Sequence, residues 1–354
     1  MYKRLLKNPL FLISFLFIFG LLIASFLYSA VIKDYVTPNV KIIMEDGKLL
    51  GAAPFPPSLK FPLGTDSTGD NLLYKAIDGA KYTLLTVMIV ASLRLIISTV
   101  LGVIRGTLVK KPSPWSPKIF DAFQFLPITL IAYFILQPVV YDIPTLVPIQ
   151  TAGGVSLHLQ GSGMAQYSLT ETIIFQIIVF TVLALPIVTK TVEEETRLIL
   201  KNEFITSART LGSSRIQILR RHVSLHLWPR LLLIFLQQNV QTLLLLMHLG
   251  LFNLFLGGTY ATMFEGKIIL EAESKEWSAL IGQYYGQLVS TPWIPLVPIM
   301  MFVLTILAFN FMAEGLKRTM DKETMVLVKK RKSFHGSVPE EMEISEEDFI
   351  LINK

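Results

Sequence analysis

Long apolar segments alternate with polar ones along most of this chain. Six segments hold about 20 mostly apolar residues each, the length that a helix rising about 1.5 Å per residue needs to cross a hydrocarbon core about 30 Å thick. They are residues 10–31, 83–104, 119–140, 172–189, 231–251 and 294–312. The pattern predicts an all-α, polytopic membrane protein with six transmembrane helices.

Composition supports this prediction. Of the 354 residues, 52% are hydrophobic and only 16% are charged, whereas about a quarter of the residues of a soluble domain are charged. The chain has no Cys, so it has neither disulfides nor thiolate metal sites. The net charge of +6 comes mainly from basic loops, which indicates membrane orientation rather than binding to nucleic acid.

The distribution of Lys and Arg predicts the orientation. Basic residues precede the first span, lie between spans two and three and between four and five, and follow span six, whereas the loop after span three has none. Short basic loops stay in the cytoplasm, so we expect a multi-pass protein of the cell (cytoplasmic) membrane with both termini inside. A cleavable signal peptide ending near Ala30 is an alternative for the first span, but the apolar run of about 22 residues favours a retained helix.

The spans divide the chain into four parts. We expect an N-terminus and first span (1–31), an extracytoplasmic loop (32–81) whose end, 70–81, is a short helix, a core of five spans (82–316) that includes a cytoplasmic loop at 193–230, and a mobile or weakly helical cytoplasmic tail (317–354).

The cytoplasmic loop between spans four and five is the most informative segment. Helical spacing relates Phe204, Ala208, Leu211 and Arg215. Gly212 interrupts this pattern, and Ser213 and Ser214 are suitable N-cap residues. The segment therefore predicts a helix, a sharp turn at Gly212 and a second helix, which together project a helical elbow suited to docking into a groove of a soluble partner.

Three blocks of sequence resemble one family. The first is Ser207-Ala208-Arg209-Thr210-Leu211-Gly212, followed by Ser214, Arg215, Ile218 and Arg221-His222-Val223; the second runs from Glu276-Trp277-Ser278 through Thr291-Pro292-Trp293 to Glu314-Gly315-Leu316; the third is Phe61-Pro62-Leu63-Gly64-Thr65-Asp66 with Gly69. The first resembles the coupling-loop signature of ABC importer permeases of the dipeptide/oligopeptide/nickel group. The order of the blocks resembles that of the C-type transmembrane subunit.

The resemblance implies a non-catalytic permease subunit that translocates di- or oligopeptides. It implies as partners a second permease subunit in a heterodimer, one or two ABC ATPase subunits, an extracytoplasmic substrate-binding protein and the lipid bilayer, with no nucleic acid. No cofactor is expected in this chain, because ATP and Mg would bind to the ATPase subunits. The ATPase-coupling residues would be Ser207, Ala208, Arg209, Leu211, Gly212, Arg215, Arg221 and His222.

Polar residues within the spans are candidates for a translocation pathway. They are Arg94 in span two and, in span five, Gln237, Gln238 and Gln241. A charge in a span must face protein or water, so Arg94 would either attract a peptide carboxylate or pair structurally with Asp121 or a backbone carbonyl. The amides would either contact peptide backbones or join helices.

Two other functional classes are open at this stage. One is a transporter driven by an ion gradient, although that class usually carries buried ionisable relays in several spans. The other is a non-transporting membrane scaffold or sensor, because Thr206 stands where the family usually has an acidic residue. His222 and His226 are four residues apart, but no third ligand lies nearby in sequence, so no metal site is expected.

Overall fold

The computed structural model describes residues 5, 7–32, 40–45, 48–108, 127–140, 145–151, 154–160, 168–264, 267–272 and 274–335. Within these residues the helices are α1 (Pro9–Leu27), α2 (Leu72–Leu108), α3 (Ile128–Val140), α4 (Leu169–Leu200), α5 (Glu203–Thr210), α6 (Arg215–Ile218), α7 (Ser224–Leu251), α8 (Trp277–Tyr284) and α9 (Trp293–His335). Single π-helical turns follow α1 at Tyr28–Ile32 and join α6 to α7 at Leu219–Val223.

The described residues include five helical segments that are long and apolar enough to cross a membrane: Pro9–Ile32, Leu72–Leu108, Leu169–Leu200, Arg215–Leu251 and Trp293–Met320. They confirm a helical, multi-pass membrane protein. The third predicted span is represented by α3, whose 13 residues cover about 20 Å and fall short of the hydrocarbon core. Residues 119–126 of that span lie outside the described residues, so the count of six stays a prediction.

Several helices extend beyond the apolar segments that predicted them. The short helix expected at 70–81 is the first part of α2, which runs unbroken from Leu72 to Leu108. Within the segment predicted as a mobile or weakly helical tail, α9 continues as far as His335. Strong helix formers such as Ala, Glu, Leu and Lys continue the helix after the apolar pattern ends. The last residues, 336–354, lie outside the described part of the chain.

Three antiparallel hairpins occupy connections that were predicted as loops. They are formed by β1 (Ile42–Glu45) with β2 (Lys48–Ala52), β3 (Thr145–Thr151) with β4 (Gly154–Gln160), and β5 (Thr259–Phe264) with β6 (Lys267–Ala272). Each hairpin lies between two helices and pairs only with itself within the described residues, so the fold class stays helical. All three lie in connections at the end of the bundle opposite α5 and α6.

The closest approach between two long helices joins α2 to α4. Ser98, Gly102 and Gly106 recur every four residues on one face of α2, and all three are buried. A Cβ atom on Gly102 would lie 2.8 Å from the Val192 side chain, and one on Gly106 would lie 3.0 Å from that of Thr196. Small residues let helix backbones approach closely in a membrane, so this face sets the spacing of α2 and α4.

The short helix α8 is wedged between α2 and α7. Trp277 is fully buried and its Nε1 donates a hydrogen bond to the Ala76 carbonyl at 2.7 Å. Any Cβ atom on Gly250 of α7 would collide with the Ser278 backbone, and one on Gly282 would collide with Gly250. The N-cap of α8 is a buried carboxylate, Glu276, which accepts from the Ala279 N–H at 2.8 Å. Burial raises the pKa of Glu276, although hydrogen bonds from Ser278 and Ala279 oppose the shift.

We predict that Gly102→Leu lowers the stability of the bundle. The added side chain must displace Val192 or the Thr189 carbonyl, and overpacking of this kind costs about 1–3 kcal/mol. The measurement is the thermal unfolding midpoint of the purified protein in detergent.

The matched control is Gly20→Leu in α1, because no atom lies within 4 Å of a Cβ built on Gly20. This control should unfold at the wild-type temperature. Equal midpoints for both variants would contradict the close approach of α2 and α4.

Candidate functional site

A helical elbow joins α4 to α7, as the sequence predicted. Helix α5 ends in a Schellman motif, in which the Ser213 N–H donates to the Ala208 carbonyl and the Gly212 N–H donates to the Arg209 carbonyl, both at 3.0 Å. Gly212 has φ +83°, a left-handed conformation that glycine adopts without penalty. The turn at Gly212 is therefore built into the backbone.

The second half of the elbow starts at a capping box. The Ser214 side chain accepts from the Gln217 N–H at 3.3 Å, and the Gln217 side chain accepts from the Ser214 N–H at 2.9 Å. Each of the two side chains thus accepts a hydrogen bond from a backbone N–H that has no partner within the helix. Because α6 continues through the π-helical turn into α7, the second half of the elbow and α7 form one nearly continuous helical segment, Arg215–Leu251.

The base of the elbow is apolar and firmly packed. Ile205 and Ile218 are almost completely buried, and Ala208 also faces inward. They pack in one cluster with residues of α4 and α7, among them Val188, Val192, Ile199, Val223, Leu227 and Leu231. Displacement of the elbow must therefore displace the ends of α4 and α7.

The tip of the elbow has the opposite character. Leu211 and Ile216 are 85% and 69% exposed, an unusual exposure for large apolar side chains next to a polar surface. Phe204 lies between two imidazoles, with ring centroids 6.2 Å from His222 and 5.0 Å from His226. An open depression of about 1050 Å³ lies beside the tip, lined by Lys201, Asn202, Glu203, Phe204, Ser207, Ala208, Leu211, Ser213 and His222.

Basic residues surround this tip. Four arginines are exposed around it, and none of them has an acidic partner among the described residues: Arg209, Arg215, Arg220 and Arg221. All eight residues predicted for coupling thus lie on the elbow, and seven of them lie on its exposed or half-buried surface. The exception is Ala208, whose side chain packs inward. Their predicted role in binding an ATPase stays a prediction.

Ion pairs fix the elbow end of α4 to its neighbours. Glu193 accepts from Arg105 of α2 at 2.9 Å and from Arg197 of α4 at 2.9 Å, and Glu195 pairs with Arg230 of α7. The sequence showed only the Glu193–Arg197 spacing typical of a helical pair. The contacts to α2 and α7 depend on tertiary packing and had no local signal.

Arg94 joins three helices in the middle of the bundle. Its Nε and Nη2 donate to the Phe180 carbonyl of α4 at 3.0 and 2.6 Å, and its Nη1 donates to Gln238 Oε1 at 3.2 Å and Thr242 Oγ1 at 3.0 Å on α7. Two of the acceptors are side-chain oxygens and one is a backbone carbonyl. A backbone carbonyl is one of the two structural partners that the sequence analysis named for Arg94. The other proposed partner, Asp121, lies outside the described residues.

A cavity of about 630 Å³ opens beside Arg94. Its lining comes from α2, α3, α4 and α7 and comprises Arg94, Ile128, Thr129, Ala184, Ile187, Val188, Thr191, Gln238, Gln241, Leu244, Leu245 and His248. Three of the four predicted pathway residues line it: Arg94, Gln238 and Gln241. Gln237 is exposed on α7 and is not part of the lining.

His248 is the residue of this cavity that the sequence did not single out. It follows Gln241 by seven residues, or about two helical turns, so the two share a face of α7. This helical spacing was the one signal that could have identified His248. Both side chains are exposed although they belong to a membrane-spanning helix.

Comparison with known proteins identifies similar sequences. No family model matches the chain. It is 36% identical over 126 residues to a peptide transport system permease protein, SapC, of Haemophilus influenzae, an alignment covering 34% of this chain and 41% of SapC. It is 24% identical over 145 residues to a glutathione transport system permease protein, GsiD, of Shigella dysenteriae serotype 1, covering 41% and 43% of the two chains.

The chain is similar in sequence to transport-system permeases. The resemblance to permeases of the dipeptide/oligopeptide/nickel group is therefore confirmed. A longer alignment, 21% identical over 267 residues, relates it to the GsiD protein of Pectobacterium atrosepticum and covers 75% of this chain and 73% of GsiD. The matches to the first two relatives span about two fifths of their length, at 41% and 43%.

An ion-pair network holds the loop before α2 against α8. Asp66 is fully buried, and its Oδ2 accepts from Lys75 Nζ at 2.5 Å and from Tyr284 Oη at 2.8 Å. Burial alone would raise the pKa of Asp66, but the charge of Lys75 and hydrogen bonds from Lys75, Thr68 and Tyr284 outweigh it, so the pKa lies below its usual value. The carboxylate is thus more stable in the folded loop than in water.

We predict that Lys75→Met releases this loop, because it leaves a buried carboxylate without its cation, a change that costs about 3–5 kcal/mol. The measurement is hydrogen exchange of residues 54–71 at pH 7. In the wild type, the stabilisation that ionised Asp66 gives to the folded loop is complete above pH 3.8, the pKa of Asp66 in the unfolded chain. It is lost as the pH falls through the lower pKa of Asp66 in the folded protein.

The control is Lys60→Met, which changes an exposed lysine of the same loop and should leave exchange unaltered. The double variant Asp66→Asn with Lys75→Met should recover part of the protection. Unchanged exchange in Lys75→Met would contradict the network.

Proposed function

We propose that this chain is a membrane-spanning permease subunit of an ATP-binding-cassette importer, which translocates di- or oligopeptides with energy from separate ATPase subunits. The observation that carries the proposal is the elbow: an exposed apolar tip with a basic rim, on a buried base that is continuous with α4 and α7. The named functions of its homologues, peptide transport and glutathione transport, support the same class of cargo.

The elbow is suited to transmit force. Leu211 and Ile216 would enter an apolar groove of the ATPase subunit, while the rim arginines would contact acidic residues around that groove. The base packs on α4 and α7, and ion pairs of Glu193 and Glu195 join α4 to α2 and α7. Movement of the ATPase subunits would thus be passed to the helices that line the cavity.

This chain would have no catalytic role of its own. The sequence contains no Gly-x-x-x-x-Gly-Lys-Ser/Thr phosphate-binding segment, so ATP and Mg would bind to the ATPase partners. The basic elbow would face the cytoplasm by the positive-inside rule. That orientation places both termini inside and the three hairpins and α8 outside, where an extracytoplasmic binding protein would deliver the cargo.

A second permease subunit would cover the polar face of α7. Gln237, Gln241 and His248 are exposed along a helix that crosses the membrane. Polar side chains at this depth face protein or water rather than lipid. A second six-span subunit packed beside this face would cover Gln237 and would close the open side of the cavity, so that Gln241 and His248 would face the enclosed space.

Energy coupling separates this proposal from a transporter driven by an ion gradient. In cells whose peptide uptake depends on this chain, we expect uptake to stop when ATP is depleted and to continue when an ionophore dissipates the ion gradients. Uptake that survives ATP depletion and fails with the ionophore would contradict the proposal.

We predict that Gly212→Val separates the chain from its ATPase partner. Valine at φ +83° is strained by at least about 1–2 kcal/mol, so the elbow should be misdirected and ATPase binding weakened about tenfold. The measurement is mass spectrometry of the proteins that co-purify with the tagged chain in mild detergent, where the wild type should recover a second permease and P-loop ATPases.

The control is Gly212→Asn, because asparagine tolerates the left-handed conformation and no atom lies within 4 Å of a Cβ at this position. Both variants should insert into the membrane normally. Wild-type ATPase recovery with Gly212→Val would contradict this role of the elbow. A wild-type chain that recovers no ATPase would favour the ion-driven transporter or the scaffold.

A further inference from the structure

The cavity beside Arg94 has an uneven distribution of charge. Its lining contains one arginine and one histidine, Arg94 and His248, and the described lining includes no Asp or Glu. Arg94 is only 2% exposed and forms no ion pair with a described residue. Among the described residues its positive charge is balanced by dipoles alone, and such a charge acts strongly on a ligand in a poorly hydrated site.

Arg94 and His248 lie at two different depths of the cavity. Arg94 is held at the level of Thr242 on α7 by a 3.0 Å hydrogen bond, and His248 lies six residues further along the same helix, which corresponds to about 9 Å. An extended chain of two or three residues spans about 7–11 Å. The two basic side chains thus match the separation of two carboxylates in a short peptide.

The rest of the lining suits a peptide between these two positions. Thr129, Thr191, Gln238 and Gln241 offer hydroxyl and amide groups, which can both donate and accept hydrogen bonds with a peptide backbone. The volume of about 630 Å³ lies within the usual range for small-ligand sites, about 300–1,000 Å³.

We propose that this cavity selects short acidic peptides of two or three residues, with one carboxylate near Arg94 and a second one at His248. The inference rests on the proposed transport function and narrows its cargo from peptides in general to acidic peptides. His248 is the specificity-determining residue, because it is exposed at the cavity and its ring nitrogens can donate to a carboxylate. Cationic peptides of the same size are disfavoured by Arg94.

The test compares uptake of glutamyl-glycine, glutaminyl-glycine and lysyl-glycine by cells expressing the complete importer, with cells lacking this chain as background. The two carboxylates of glutamyl-glycine lie on different residues, and the wild type should prefer this peptide to lysyl-glycine. His248→Glu should lower this preference at least about tenfold, the effect of losing one charge-assisted hydrogen bond. His248→Arg should retain the preference, because arginine also donates hydrogen bonds to a carboxylate.

A matched control is Ser290→Glu, which adds the same charge to an exposed residue at the same end of the bundle but outside the cavity lining. It should leave the preference unchanged. All variants use the same binding protein, so the change in the preference relative to the wild type isolates the contribution of the cavity.

The outcomes distinguish this inference from the proposed function. If uptake of glutaminyl-glycine depends on the chain but His248→Glu does not alter the preference, the charge selection is wrong and the transport function stands. If the wild type takes up all three peptides equally, the charge selection is also wrong. If no peptide uptake depends on the chain, the proposed function fails and the charge selection fails with it.

Discussion

One face of α2 sets the arrangement of the bundle. Arg94, Ser98, Gly102 and Gly106 follow one another at four-residue intervals, and all of them are buried against α4. The glycines bring the two backbones together, and the serine accepts a hydrogen bond from Thr189 at 3.3 Å. At the N-terminal end of this face, Arg94 also donates hydrogen bonds to Gln238 and Thr242 of α7. A single helical face thus fixes the spacing of α2 and α4 and the position of α7.

The same arrangement connects the elbow with the cavity. Helices α4 and α7 contribute residues to both, so the two sites are parts of one packed body. Val188 belongs to the apolar cluster at the base of the elbow and also lines the cavity. A shift of the elbow that moved Val188 by a fraction of its own diameter would change the volume available beside Arg94, because packed interiors transmit displacement with little compression.

Local signals in the sequence were sufficient for the spans and the elbow. Apolar length identified five membrane helices, and Gly212 with Ser214 identified the turn and the second helix, since both residues act through their own backbone geometry. The hairpins were missed because their strands have only four to seven residues, and runs this short give a weak signal in connections between long apolar segments. The contacts of Glu193, Glu195 and Asp66 were missed because their partners lie on other elements. His248 was missed because its significance depends on which face of α7 borders the cavity.

The orientation of the elbow relative to α7 depends on the π-helical turn at Leu219–Val223. Such a turn contains one residue more than an α-helical turn, and one residue corresponds to about 100° of rotation about the helix axis. The direction in which Leu211 and Ile216 point is therefore set relative to the Gln241 face of α7 by the number of residues in the junction. Loss or gain of one residue here would keep every residue of the tip in the sequence and yet turn the tip away from the ATPase subunit proposed to bind it. The number of residues in the junction therefore matters more than their identity.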